Sequence, residues 1–495
     1  MPARRGLQRW LLVAVFACSA ALYAATIDRG LDLGDYGDFQ TVPYILGIAY
    51  PPGFPGYTLL GWLWSHGLPV GSVALRLNVL SVVAAAATNV SFAALLLELD
   101  VAPLAAAVAA LLFGTTYQSW THAGAASAHE VGTALLVASL FFAVRWVRSG
   151  HGYVLTSAAT LYALSIATDS STVLALPGLA LIFSCRAPTK SERWLPALCA
   201  CIVIAGAYAY LPLRSGYVAT HGLDPTRALG LNEPDQFFDH HHPATLHNFV
   251  LLTTGAASGA PSAFRAMLSP HAILRTWNDF TSLVTEELGP LALVMGVVAV
   301  VVFLVRRGRI AVGIALVSAP CAWYMTSWGA ESDVGRYVPR ELLLLFTALA
   351  WSSTWVVSST LRVRAIWGGA LVLLVVWIAA VDTSHVSRIA QDRSTRSAMG
   401  VAAVLSSIPR DAIVLAPFTY AAPLAYAFYV EHRVPGAVVV CCEVGLLEHA
   451  PAGLLRRRPM LFLDRDTAAP RSSAFVFERR RTASGVALWT ARPSG

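Results

Sequence analysis

The sequence predicts an α-helical, polytopic membrane protein with a small C-terminal α/β domain outside the membrane. Three observations predict it. Of the 495 residues, 56% are hydrophobic and 13% charged, and the mean hydropathy is +0.60, outside the range of a soluble globular chain. Continuous apolar runs of about 18 residues or more recur, each long enough to cross a hydrocarbon core. Basic clusters stand at alternate ends of these runs, the pattern that sets topology. Because the runs are continuous rather than alternating, a transmembrane β-barrel is excluded.

In chain order the runs lie near 10–27, 72–97, 101–117, 129–147, 153–168, 171–185, 194–213, 287–305, 309–327, 339–357 and 365–382, about eleven spans. The first follows Arg4, Arg5 and Arg9 and resembles a signal peptide, with small residues at Ala24-Ala25. An uncleaved span is the expectation, because it tethers the acidic loop behind it. Thr168-Asp169-Ser170-Ser171 interrupts residues 153–185, which read either as two short spans or as a re-entrant hairpin.

Charge orients the spans. Arg4/Arg5/Arg9, Arg145/Arg148, Arg186/Lys190/Arg193, Arg306/Arg307/Arg309 and Arg362/Arg364 fall on one side, which the positive-inside rule makes cytoplasmic. The turn Glu98-Leu99-Asp100 is the exception on that side. The opposite side collects Asp28, Asp32, Asp35, Asp38, Glu130, Asp169, Glu331 and Asp333, the outer loops 28–71 and 214–286, and the tail. A membrane domain over 1–382 and an extracytoplasmic domain over 383–495 follow, with the N-terminus in the cytoplasm. The tail reads as helices 396–408 and 421–430 and strands 412–416, 437–441, 460–464, 474–477 and 486–490.

A net charge of +7 does not point to nucleic acid, since much of the surplus flanks the spans. Arg456–Arg458 and Arg479–Arg481 lie apart from the spans and read as solvated loops or as contacts to anionic lipid headgroups. Seven cysteines give no disulfide framework in a chain this long, and the adjacent Cys441-Cys442 pair is assigned no role.

The chemistry-bearing segment is Asp35-Tyr36-Gly37-Asp38-Phe39, just behind the first span, followed by Tyr50-Pro51-Pro52-Gly53-Phe54-Pro55. Carboxylates are costly to hold beside hydrocarbon, so a pair of them there suggests a task. Asp35 and Asp38 are spaced to share one side of a helical turn. Three readings stay open: a general base for an acceptor hydroxyl, a ligand for Mg or Mn, or caps on a helix beginning near Phe39. The proline-rich segment carries no chemistry; fixed φ and a glycine make it a reversal that leads into the next span and shapes a cavity floor.

The stretch from Asp35 to Ser65 resembles the opening of a membrane family grouped with GT-C-type glycosyltransferases and related to protein O-mannosyltransferases. Asp35, Gly37, Asp38, Phe39, Pro51, Pro52, Gly53 and Pro55 match its pattern; Tyr36 replaces a small residue and Tyr50 stands where His is usual. Ala128-His129-Glu130-Val131 resembles an Ala-Glu-Val-Tyr segment of the family, and Leu211-Pro212-Leu213-Arg214 resembles Leu-Pro-Ile-Arg. Asn232-Glu233-Pro234 loosely resembles a Gly-Asp-Pro that follows. The resemblance implies a GT-C-like fold and transfer of a sugar from a polyprenyl-phosphate carrier to an extracytoplasmic acceptor, a protein or a glycan.

The expected site is therefore Asp35 and Asp38 for catalysis, with Tyr50, His129, Glu130, Arg214, Arg336 and Arg340 binding substrate. The arginines offer bidentate donors to a lipid phosphate, or else snorkel to the interface. Asp235, Asp239, His240, His241, His242 and His247 lack the spacing of a zinc motif and read as a solvated loop. No nucleophile elbow and no phosphate-cradling glycine loop is present. A flippase or transporter would need ionisable residues in mid-span, where few occur, and a scaffold would need no carboxylate pair.

Overall fold

The computed structural model describes residues 2–187, 189–231, 237–256, 260–325, 337–357, 360–441, 454, 457–465, 475–483 and 486–493. The first helix, α1 (Pro2–Ala25), is followed by two short loop helices, α2 (Gly34–Ile45) and α3 (Pro55–Gly67). The proline-rich turn thus opens a second loop helix rather than the next span, because Pro55 occupies the first helical position, where its missing N–H costs nothing. The bundle continues with α4 (Val73–Glu98), α5 (Pro103–Thr115), α6 (Tyr117–Ala123), α7 (Ala128–Ser149) and α8 (Gly152–Thr168). Ser72 and Ser127 cap α4 and α7, accepting from Leu75 N and Glu130 N at 3.2 and 3.4 Å.

Asp169 joins α8 to a 3₁₀ turn, Ser170–Ala175, and to α9 (Leu176–Phe183). Then come α10 (Lys190–His221), opened by a Thr189/Glu192 capping box, α11 (Pro225–Ala228), α12 (Leu246–Thr253), α13 (Ala260–Met267) and α14 (Ala272–Leu288). After these, α15 (Pro290–Met325) is broken at Gly308, so the two runs expected there are two helical pieces. The last long helices are α16 (Val338–Val357) and α17 (Leu361–Arg396).

Among the described residues, six helices are long and apolar enough to cross a membrane: Gly6–Ala25, Val73–Glu98, Ala128–Ser149, Trp194–Ala228, Pro290–Tyr324 and Leu361–Arg396. Pro103–Thr115, Gly152–Thr168 and Ser170–Phe183 are shorter apolar helices. Large apolar side chains such as Trp194, Leu361 and Val372 face outward, as a lipid-facing surface requires. The chain is an integral multi-pass membrane protein. At one end of the bundle Arg148 and Arg307 each reach Asp100 at 3.0 Å and Arg145 lies 3.5 Å from Glu98. The acidic turn that broke the charge pattern is thus matched by arginines of α7 and α15.

Helix α17 runs unbroken through residue 382 and ends at Arg396, beyond which α18 (Met399–Val404) leads into a five-stranded sheet. Its strands are β1 (Ile413–Ala416), β2 (Val438–Cys441), β3 (Met460–Arg465), β4 (Phe475–Ala483) and β5 (Val486–Pro493), in the order β2-β1-β3-β5-β4. The first three are parallel, and the β4–β5 hairpin adds antiparallel to β3. All five strands read from the sequence form. Val414 and Ala416 pack towards α2 and α19 (Phe418–Ala425), Ile413 and Leu415 towards Phe462 and Trp489, so β1 is apolar on both faces. Cys441 is disulfide-bonded, whereas Cys18, Cys185, Cys199, Cys201 and Cys321 are free.

Candidate active site

The site is organised by α2. Its N-cap, Leu33, has an extended backbone and contributes no side-chain cap, and Gly34 enters the helix at φ 58°. What fixes this end is tertiary: Asp32 N donates to Gln40 Oε1 at 2.9 Å, Leu33 N to Arg396 O at 2.8 Å, and Ala398 N to Leu31 O at 2.9 Å. Helix α2 therefore begins ahead of Asp35 rather than near Phe39. Asp35 is half-buried in the first turn, and Asp38 is fully buried in the second, where a carboxylate no longer caps. Capping is thus corrected for Asp38, while Asp35 keeps a favourable place near the positive end of the helix dipole.

Gly37, between the two carboxylates, is required by close approach. A Cβ there would stand 2.5 Å from Asp32 O and 3.2 Å from Ala422 Cβ of α19. The tail domain therefore lies directly on α2. Tyr426 strengthens the seam by accepting from Ala74 N at 3.0 Å.

Phe39, the next residue, sits in an aromatic box. Its ring centroid is 5.6 Å from Tyr50, 5.1 Å from Phe54, 5.1 Å from Tyr57 and 6.0 Å from His129, distances at which ring pairs attract. Tyr50 also meets Phe418 of the tail at 5.6 Å, so it contributes a ring at the domain seam. Burial first, and then the charge of the Asp38 carboxylate, push the Tyr57 hydroxyl above its ordinary pKa.

On the opposite flank, α7, α8 and α16 converge. His129 Nδ1 is 2.8 Å from Asp169 Oδ2, and Arg340 forms an ion pair with the same oxygen. Arg340, 1% exposed, also donates to Thr133 Oγ1 and Ser171 Oγ at 2.7 Å and to His129 O at 3.1 Å. Burial opposes ionisation of Asp169, yet Arg340 and His129 outweigh it and hold the carboxyl well below the usual range. The result is a buried Arg–Asp–His chain whose imidazole meets Phe39 and Phe54, with Tyr337 4.7 Å away. Glu130 is buried in the first turn of α7, and its Oε1 has no hydrogen-bond partner among the described residues.

Several contributors carry no local sequence signal. His122 Nδ1 and Tyr36 OH are 2.6 Å apart, and Arg396 lies 4.9 Å over the Tyr36 ring. Gln40 Nε2 donates to Asn78 Oδ1 at 2.9 Å, and Asn78 Nδ2 to Asp28 O at 2.9 Å. Asp32 is buried beneath them; desolvation, then the charge of Asp28, raise its carboxyl well above the ordinary value. Of the expected residues, Asp35, Asp38, Tyr50 and His129 come together around α2, Arg340 stands behind His129, and Arg214 lies at the far end of α2. Arg336, with Asn232–Asp235, Glu331 and Asp333, lies outside the described residues. Asp239 and His242 pair at 2.9 Å. Among the described residues no three His, Cys, Asp or Glu side chains are grouped as metal ligands.

Residues 35–192 match the family model described as the protein O-mannosyl-transferase TMEM260 N-terminal domain. The mouse protein O-mannosyl-transferase TMEM260 is 48% identical over 68 residues, 14% of this chain. The Dictyostelium discoideum protein of the same description is 33% identical over 72 residues, also 14% of the chain. These stretches cover only 10% and 9% of the two relatives. In structure, ArnT from Cupriavidus metallidurans bound to undecaprenyl phosphate superposes with a TM-score of 0.51, covering 97% of each chain at 10% identity, a likeness of fold. The likeness to GT-C-type membrane glycosyltransferases read from the sequence therefore stands, carried by the family model over residues 35–192 and by the fold over 97% of the chain.

Proposed function

We propose that this chain is an integral-membrane glycosyltransferase that moves a sugar from a polyprenyl-phosphate carrier to an acceptor hydroxyl on the extracytoplasmic face, in protein O-glycosylation. The observation that carries the reading is Asp35 and Asp38, three residues apart on successive turns of a loop helix, outside the spans and beside an aromatic box. Support comes from the relatives, which are protein O-mannosyl-transferases, and from ArnT, whose structure holds undecaprenyl phosphate. The basic clusters support a cytoplasmic N-terminus and an extracytoplasmic tail domain, so the acids face a compartment without nucleotide-sugars and a lipid carrier is needed.

The reaction is a displacement with inversion. The acceptor oxygen bonds to the anomeric carbon while its proton passes to a carboxylate; the carbon–oxygen bond to phosphate breaks, and its electron pair leaves with the phosphate. Asp35 is better placed for the base, because a half-buried carboxylate can return its proton to water, whereas buried Asp38 orients the acceptor. Arg340 acts through Asp169 and His129, its donors being bonded within the fold. Arg336 is the candidate for the developing phosphate charge.

The test compares glycoproteins by mass spectrometry in cells with the chain, without it, and with Asp35→Asn or Asp38→Asn. Loss of one hexose from defined Ser or Thr sites in the deletion, not restored by either variant, is expected. Normal glycans in both variant strains, with normal protein levels, would remove the enzyme reading.

A further inference from the structure

The Tyr210–Arg214 segment and the C-terminal end of α2 meet in a way that the proposed reaction does not yet use. Tyr210 OH lies 2.7 Å from Leu46 O and 2.8 Å from Gly47 O, placed to donate to both. Arg214 Nη2 donates to Ile45 O at 3.2 Å, and its guanidinium lies 5.4 Å over the Tyr217 ring. Leu211 packs with Ile48 and Leu252, and its methyls approach Gly53 so closely that a Cβ there would stand 3.4 Å away. One helical turn of α10 thus meets three successive carbonyls, that of Ile45 at the end of α2 and those of Leu46 and Gly47 just beyond it. A cation at this end also opposes the negative pole of the helix.

The other side of the same reversal is closed by the long outer loop. A Cβ on Gly47 would fall 1.7 Å from Phe237 O, so the two backbones are in contact. Leu46 holds a left-handed conformation, φ 51°, which a non-glycine residue keeps only when its surroundings enforce it. Its N–H bonds Pro43 O at 3.2 Å and the Gly47 N–H bonds Val42 O at 2.9 Å.

We infer that Tyr210 and Arg214 are positioning residues: they clamp the C-terminal end of α2 and thereby fix where Asp35 and Asp38 stand, so that Arg214 serves the carboxylates rather than the carrier phosphate. Resting on the transferase reading, this reassigns the arginine of the Leu-Pro-Leu-Arg segment from ligand to clamp. The competing role has a feature in its favour, since Arg214 Nε is buried with no acceptor among the described residues and would suit a phosphate oxygen.

The experiment uses the full chain in lipid nanodiscs, wild type beside Arg214→Gln, Arg214→Lys and Tyr210→Phe. Amide hydrogen exchange is followed at Leu46 and Gly47, binding of undecaprenyl phosphate is measured without turnover, and transfer is assayed from polyprenyl-phosphate mannose. A clamp predicts that Arg214→Gln and Tyr210→Phe speed exchange at these two amides by about tenfold or more. They should also lower kcat by about tenfold while leaving carrier affinity and carrier KM within about twofold. Arg214→Lys should recover part of the loss, because one charged donor still reaches Ile45 O. Weakened binding of undecaprenyl phosphate with unchanged exchange would overturn the clamp and return Arg214 to the phosphate. Were the wild type to transfer no sugar, the transferase reading would fall, yet exchange at Leu46 and Gly47 would still decide the clamp.

Discussion

Substituting Gly37 by alanine tests the geometry of α2 most directly, because its sign is not that of helix propensity. In an open helix interior the change would stabilise by about 0.5–1 kcal/mol. Here the new methyl would stand 2.5 Å from Asp32 O and 3.2 Å from Ala422 Cβ. The carbonyl cannot retreat cheaply, since its strand is tied to Gln40 and to Arg396 on either side of it. Overpacking of this kind costs about 1–3 kcal/mol, which offsets or exceeds the propensity gain. Relief comes by moving α2 away from the Asp32 strand by about 0.5–1 Å, a distance that forfeits a large part of the contact energy. The carboxylates move with it, and a misplacement of about 1 Å lowers rate by about 10²-fold. Gly37→Ala is therefore expected to fold, to melt at or below the wild-type Tm in nanodiscs, and to transfer sugar from polyprenyl-phosphate mannose 10–100-fold more slowly, an order-of-magnitude range. A variant that melts higher and transfers at the wild-type rate would refute the close approach and the role drawn from it.

Other consequences are equally checkable. Asp169→Asn leaves the buried Arg340 without its counter-charge and should cost about 3–5 kcal/mol, read as a lowered Tm; adding Arg340→Met should recover much of it in a double-mutant cycle. Glu287 accepts from Tyr117 N at 2.7 Å and from Gln118 N at 3.3 Å at the start of α6, and burial pushes its carboxyl up to about 7. A raised folded-state value means that the folded protein holds the extra proton, so this stabilisation is complete below about 4.5 and fades as pH rises through about 7. Wild type should lose Tm between pH 5 and 8 relative to Glu287→Gln, and parallel pH profiles would exclude this group.

What was legible in the sequence followed from periodicity and length. The apolar runs became helices, and the five tail strands formed where β-branched and aromatic residues alternate between turn signals. Asp35 and Asp38 were visible because acids beside hydrocarbon are unusual. The start of α2 was not, since Leu33-Gly34 carries no capping side chain and the helix is pinned by Gln40 and by the backbone at Arg396. Nor was the Arg340–Asp169–His129 chain, whose members come from three helical segments and whose order is a tertiary fact. His122 and Asn78 stood in ordinary apolar helices; nothing local to them signals a partner on α2. Arg214 shows the limit of reading a cation by location alone, because an outer span end accommodates a phosphate ligand and a helix clamp equally well.

The seam at which α19 rests on Gly37 and Tyr426 reaches Ala74 makes the tail a roof over α2 rather than a passenger. A chain cut after Arg396 would retain every membrane helix and both carboxylates, yet α2 would lose the ceiling against which it is seated. Seating of α2 must then wait for the tail domain to fold against it. On the proposed transferase reading, competence would then follow the docking of the tail rather than the insertion of the spans.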